Sequence, residues 1–408
     1  MVRKQMNKQA LPPETSRHCQ SLHKLTFGLY RAVGKLYARA YLGFRSKAVT
    51  CNSPGPHLIL CNSQTLTDAL LVRLSFDFPV YCVQTQAQRR GPIAVLADAL
   101  TAPIWQKPSL NTWSAPAVQA IKQVVSEGGS VCLFPCGQPA YGYVPSQISK
   151  QTVPLIRALG VPVILYTLHG GIGALPRWGD GRRKGPFIGR HERTLTPEEY
   201  AQMSDGDLYA LINRTLGVND KSLGLTYSSN HRAERLERML YVCPRCREHS
   251  VLYSSGSHIS CRGCGMTANY TEAGNFVFLN CETPISTPDA WMDYQVSWLK
   301  NHVDGFTGEI YKDEGITILS VGKKPADEPL FGTLTMTREK LLLRFQDGER
   351  GMRTVGFTLD SVAMLTPCGK SKLSLSSAQG TWEISGAGGF CAYKYAQLFR
   401  ALRGQFGK

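Results

Sequence analysis

Between residues 50 and 190, short apolar runs alternate with stretches whose apolar residues recur at helical spacing. The runs at 57–61, 79–83, 130–134 and 161–167 are too short for helices and predict strands, with helices expected at 114–125 and 147–159. This alternation predicts an α/β domain with a largely parallel sheet. Ahead of it, Leu22, Leu25, Leu29, Val33, Leu36 and Ala40 fall at helical spacing within residues 22–44. Lys24, Arg31, Lys35 and Arg39 gather on another face, and Phe27, Tyr30, Tyr37, Tyr41 and Phe44 interleave. Two readings stay open for this basic amphipathic helix: it lies in a bilayer interface, or it packs its apolar stripe on the domain core and leaves the basic face solvated.

Residues 1–20 read as a loose polar leader, with Pro12-Pro13 inside it. Past the α/β region, Thr196-Pro197-Glu198-Glu199 is a helix start, with Thr as cap and Pro at the first position, for a helix running to about Leu216. The charged run Arg232 to Arg238 predicts an exposed helix. From about Thr283 a helix capped at Thr287-Pro288-Asp289 carries Trp291, Tyr294 and Trp298. Strand-like runs follow at 316–321, 332–337, 340–345, 354–359, 373–375 and 381–384, and a helix at 392–402 closes the chain. Short strands ended by one helix predict a small β-barrel or sandwich, in an order that looks like a pleckstrin-homology-type module able to hold a protein partner. The expected division is 1–48, basic helix; 49–228, α/β domain; 229–280, helix and four-cysteine ribbon; 281–408, helix and β module.

With 408 residues and 43% apolar content, the chain is long enough for several domains with real cores. Its net charge of +16 is uneven: residues 1–50 hold ten Lys or Arg against one acid, Glu14. A basic front implies an anionic partner, either a membrane surface or nucleic acid. Thirteen cysteines, an odd number with one compact group of four, do not make a disulfide framework and imply a reducing compartment. There is no signal-peptide pattern and no 18-residue apolar run, so the expected location is cytoplasmic and peripheral on the inner membrane face.

Two strand ends carry candidate chemistry. At 58–68 an apolar run breaks into a loop presenting Asn62, Ser63, Thr65 and Asp68, and at 128–137 a second run breaks into a small-residue turn. Open α/β sheets place ligands at such ends. The plainer reading of the first is a capped helix start with Asp68 in its first turn. Separately, Cys243-x-x-Cys246 and Cys261-x-x-Cys264, 14 residues apart, match a four-thiolate zinc ribbon. A redox dithiol or a nucleic-acid reader is the alternative, but stacking aromatics and lysines are sparse between the pairs, so nucleic acid is the weaker partner.

Asn62-Ser63-Gln64-Thr65-Leu66-Thr67-Asp68 resembles the Asn-His-x-Ser-x-x-Asp motif of glycerolipid acyltransferases of the lysophosphatidate acyltransferase type. Phe134-Pro135-Cys136-Gly137 resembles their Phe-Pro-Glu-Gly motif. Leu159 to Ile164 looks like the family's late strand, and Leu168-His169-Gly170-Gly171 through Pro176-Arg177-Trp178 resembles a bacterial branch that also carries a zinc ribbon. The likeness spans about residues 50–265. It implies acyl transfer from a thioester of coenzyme A or acyl carrier protein to a lysophospholipid hydroxyl, with the motif His as general base and Asp68 orienting it.

Here the base position is Ser63, the Glu is Cys136, and the arginine that usually follows falls on Pro139. The resemblance puts Lys107 in the place of the family's other phosphate-binding arginine, as a point charge without a bidentate fork. The implied catalytic positions are therefore Ser63, Asp68 and Cys136. The implied substrate contacts are Asn62, Thr65, Lys107, Phe134, Pro135, Gly137 and His169. These departures imply a weakened or non-catalytic member that still binds lysophospholipid, acyl thioester or a protein partner. The alternative is an active 1-acylglycerol-3-phosphate acyltransferase with altered chemistry, for example Cys136 as acyl-accepting nucleophile with His169 or His57 as its base. His169 also reads as a turn or core histidine.

Overall fold

The computed structural model describes residues 17–47, 49, 55–85, 100–106, 113–144, 147–321, 329–348 and 351–405, so most of the polar leader and Lys107 lie outside it. The chain divides into two units. One comprises Met1–Pro139, Ser146–His169 and Phe187–Val218; the other comprises Ala140–Pro145, Gly170–Pro186 and Asn219–Lys408.

The first unit is built on seven strands: β1 (Phe44–Ser46), β2 (Leu58–Cys61), β3 (Val80–Thr85), β4 (Ile104–Gln106), β5 (Ser130–Leu133), β6 (Val163–His169) and β7 (Phe187–Leu195). They lie in the order β1-β7-β6-β2-β5-β3-β4. Every residue of β2, β5 and β6 is buried, which is why these strands read as unbroken apolar runs rather than alternating ones. β2 pairs in parallel with both β5 and β6. The loops leaving β2 and β5 therefore emerge side by side at the carboxyl edge of the sheet.

Helices α1 (Arg17–Ala40), α2 (Asp68–Ser75), α3 (Ala115–Ser126), α4 (Thr152–Leu159), α5 (Pro197–Ala201) and α6 (Asp205–Leu216) complete the unit. Leu60, Leu133, Ile156, Leu165, Leu208 and Ile212 share one of its cores. The single helix expected after Thr196 is two. Thr196 and Glu199 close a reciprocal capping box on α5, and Ser204 then accepts from the Asp207 N–H to start α6.

α1 corrects one of the two readings of the basic helix. Its packed side carries His23, Phe27 and Ala38, all buried, and Gly34, where an added Cβ would strike the Leu74 side chain of α2. The stripe Leu25, Leu29, Val33 and Leu36 is 84%, 73%, 61% and 71% exposed, so it is not what holds the helix to the core. The two faces were inseparable by spacing because both are apolar. No helix among the described residues is long and apolar enough to cross a membrane.

The second unit holds two antiparallel sheets. β8 (Leu252–Ser255), β9 (His258–Cys261), β10 (Thr267–Tyr270) and β11 (Phe276–Phe278) lie in the order β11-β10-β9-β8. β12 (Tyr311–Val321), β13 (Leu330–Met336), β14 (Lys340–Gln346), β15 (Met352–Thr358), β16 (Val362–Cys368), β17 (Lys372–Ser377) and β18 (Gly380–Ser385) form the other, in the order β15-β14-β13-β12-β18-β17-β16. β12 thus joins a four-stranded and a three-stranded meander. Helices α7 (Pro288–His302), capped by the Thr287 hydroxyl, and α8 (Ala392–Leu402) pack Trp298, Tyr395, Leu398 and Phe399 into the core with Ile318 and Leu343. The exposed helix expected at Arg232 to Arg238 is absent. The segment turns instead, ending in a 3-10 turn over Leu236–Arg238 with Arg235 at φ 74°, and Ala233, Leu236 and Arg238 are buried.

Candidate functional site

The loop after β2 is folded around a carboxylate. Asp68 opens α2 and is 2% exposed. Its Oδ2 accepts from the Gln64 N–H at 2.6 Å, the Thr65 N–H at 2.9 Å and the Ser63 hydroxyl at 3.2 Å, while Oδ1 accepts from the Thr65 hydroxyl at 2.6 Å. Burial pushes the Asp68 carboxyl up to about 6, against the pull of these donors. Four donors from three successive residues leave the carboxylate little capacity for another group. Asn62 is turned away from this cluster. Its amide donates to the Leu168 carbonyl at 2.9 Å and accepts from the Leu168 N–H at 2.7 Å, pinning the loop to the end of β6.

The β5 turn lies alongside. Pro135 is buried, Phe134 and Cys136 are half-buried, and Gly137 sits at φ 75°, a left-handed conformation that favours glycine. The Ser63 amide faces the Cys136 sulfur, and burial pushes that thiol up to about 11. Cys136 is therefore a thiol at neutral pH, without the thiolate a nucleophile needs. The structure thus brings Ser63, Thr65, Asp68, Phe134, Gly137 and Pro139 around one pocket of about 70 Å³. Sequence reasoning missed Gln84, Thr85, Gln106 and Trp113, which also line it. The first three end β3 and β4, where the polar break after an apolar run was the available signal. No histidine, lysine or arginine among the described residues lines this pocket.

The two candidate bases stand elsewhere. His57 precedes β2, at the opposite end of that strand, and stacks on Phe78 with ring centres 5.4 Å apart. His169, at the end of β6, has Nε2 2.9 Å from the Thr167 hydroxyl and 3.7 Å from Glu192. Neither lines the pocket.

No family model and no curated protein matches the chain. Part of it is similar to the structure of the 1-acyl-sn-glycerophosphate (LPA) acyltransferase PlsC from Thermotoga maritima. That match has 15% identity and a TM-score of 0.42 over 52% of this chain and 86% of that one.

In the second unit, Cys243, Cys246, Cys261 and Cys264 form a cluster that can hold a metal ion, all four sulfurs lying within 4.8 Å of one another. Cys243 to Cys264 and Cys246 to Cys261 are each 3.7 Å apart. A tetrahedron of metal–sulfur bonds of about 2.3 Å has edges of about 3.8 Å, so the donor set fits tetrahedral thiolate coordination. Met266, Ile259 and Tyr270 pack behind it.

Proposed function

We propose that the chain is a membrane-surface relative of the glycerolipid acyltransferases that binds without transferring an acyl group. One observation carries the reading: Asp68, which would orient a general base, is closed in by its own loop, and the position of that base is Ser63, hydrogen-bonded to it. A serine hydroxyl titrates far above neutral pH, and no histidine among the described residues lines the pocket to take its proton. The side-by-side placement of the two motif loops supports the family relation. At about 70 Å³ the pocket suits the glyceryl end of a lysophospholipid or the tip of an acyl thioester, well under the roughly 300 Å³ of a site for a whole ligand.

The exposed stripe of α1 supports peripheral binding to an anionic membrane, on the cytoplasmic face. Burying four such side chains is worth roughly 1.5–3 kcal/mol each, and Lys24 and Arg39, also exposed, flank them. For the cysteine cluster the soft thiolate donors and tetrahedral edges favour structural zinc. The C-terminal meander with its closing helix is the surface for a protein partner, of pleckstrin-homology type.

Equilibrium binding to lysophosphatidate, measured beside acyl transfer from acyl-coenzyme A and acyl carrier protein, tests the reading. Binding with turnover at the uncatalysed rate is expected. Rapid turnover would instead favour an active 1-acylglycerol-3-phosphate acyltransferase.

A further inference from the structure

The outer edge of the first unit's sheet carries a cleft of about 710 Å³, roughly ten times the pocket at β2 and β5. It opens along β1 and β7, and two strands, β7 and β6, separate β1 from β2 in the sheet order. Arg45, Lys47, Arg190 and His191 line it with one carboxylate, Glu192. Glu192 is the extra residue of a bulge in β7 and is engaged by the Thr167 hydroxyl at 2.6 Å. Among the described residues no carboxylate pairs with Arg45, Lys47 or Arg190. Three permanent cations therefore face one cavity with little counter-charge.

The wall behind them is braced. Tyr166 donates to the Ser75 hydroxyl at 2.7 Å, and Ser75 Oγ lies 3.2 Å from Ser46 Oγ. Gly189, between Ile188 and Arg190, lets Tyr166 approach, since a Cβ there would strike the tyrosine hydroxyl and Phe44. Two guanidinium groups and an ammonium along a braced strand pair are the arrangement that phosphate oxygens complement. Four residues lead from Tyr41, just past the end of α1, to Arg45, a reach of at most about 14 Å. The cleft is thus tied closely in sequence to the exposed apolar stripe.

We propose that the β1–β7 cleft binds the phosphate of a phosphomonoester lipid headgroup at the membrane surface, a dianion matched to its cations. The lipid source rests on the membrane reading above; the cleft's charge and shape do not.

Sedimentation with phosphatidylcholine vesicles tests this, one set carrying phosphatidic acid and another carrying phosphatidylserine at equal surface charge. The unmodified protein should prefer phosphatidic acid about tenfold. Combined Arg45→Gln, Lys47→Gln and Arg190→Gln should abolish that preference while the thermal midpoint is kept, because all three side chains are exposed. Leu29→Glu with Val33→Glu should remove vesicle binding of both kinds yet leave calorimetric binding of soluble dihexanoyl phosphatidic acid. A cleft variant that keeps the preference overturns the proposal. Inorganic phosphate bound at the cleft with no preference among vesicles overturns the lipid source. Failure of the unmodified protein to bind any vesicle, with soluble phosphatidic acid still bound at the cleft, would instead sink the membrane reading.

Discussion

At Asp68 four donors from Ser63, Gln64 and Thr65 close on one carboxylate, whereas at Cys243, Cys246, Cys261 and Cys264 four sulfurs lie within 4.8 Å of one another. The donors of the first cluster come from its own loop. The second can hold a metal ion. Two dense groups of polar atoms, each assembled from a motif legible in the sequence, thus carry opposite meanings. On the reading proposed above, donors spent within one loop make the first motif structural, while sulfurs converging on one point leave the second able to hold a metal ion.

The largest effect expected concerns the cysteines. Structural zinc sites contribute about 10–16 kcal/mol of binding free energy, so Cys246→Ser, or a strong chelator under reducing conditions, should unfold β8 to β11. Metal analysis of the intact protein should give one zinc per chain, and a value well below one would contradict the assignment.

Asn62 sharpens the other half of the comparison. Asn62→Ala leaves the buried Leu168 N–H and C=O without these partners and should destabilise the protein by about 2–4 kcal/mol. An unchanged thermal midpoint would show that the side chain is not a structural pin.

Of similar size or smaller is the pH response of Asp68. Its carboxyl titrates near 4 in an unfolded chain and at about 6 here. The folded state therefore binds more protons between these values, and its contribution to stability falls as pH rises through that window, by about 3 kcal/mol in full, then levels off. Stability of the parent relative to Asp68→Asn, measured from pH 4 to 7, should decline. A rise would mean that the four hydrogen bonds outweigh burial.

The smallest effect is on α1. Leu29→Ser with Val33→Ser should change stability by no more than about 0.5 kcal/mol, since both side chains are exposed, while weakening vesicle binding. A large loss of stability would show that the stripe packs inward.

The central strands were legible because they are buried on both faces, so β2, β5 and β6 read as apolar runs. β7 was missed. Its middle, Arg190 to Arg193, is a charged stretch with apolar residues mainly at the ends, and no apolar run marks it. The charged run at Arg232 to Arg238 misled in the opposite sense, since Arg238 buries its guanidinium against Asp180 and the Trp178 carbonyl. Such long-range partners have no local signature, and Asn62 shows the same limit: its motif suggests a substrate contact, while its bonds go to Leu168, 106 residues away. Ser63, Asp68 and Cys136 were legible as neighbours through the ordered motifs. The capacity already spent on Asp68 was not, because it depends on how the loop closes.

The most direct test of a site closed on itself is turnover. The purified protein, assayed with a panel of lysophospholipids and with acyl-coenzyme A and acyl carrier protein donors, should show no transfer above the uncatalysed rate. Loss of a general base removes a factor of about 100 to 10,000. Combined Ser63→His, Cys136→Glu and Pro139→Arg should raise turnover more than Ser63→His alone. Rapid transfer by the unmodified protein, abolished by Ser63→Ala or Cys136→Ala, would contradict the account and make those residues the catalyst.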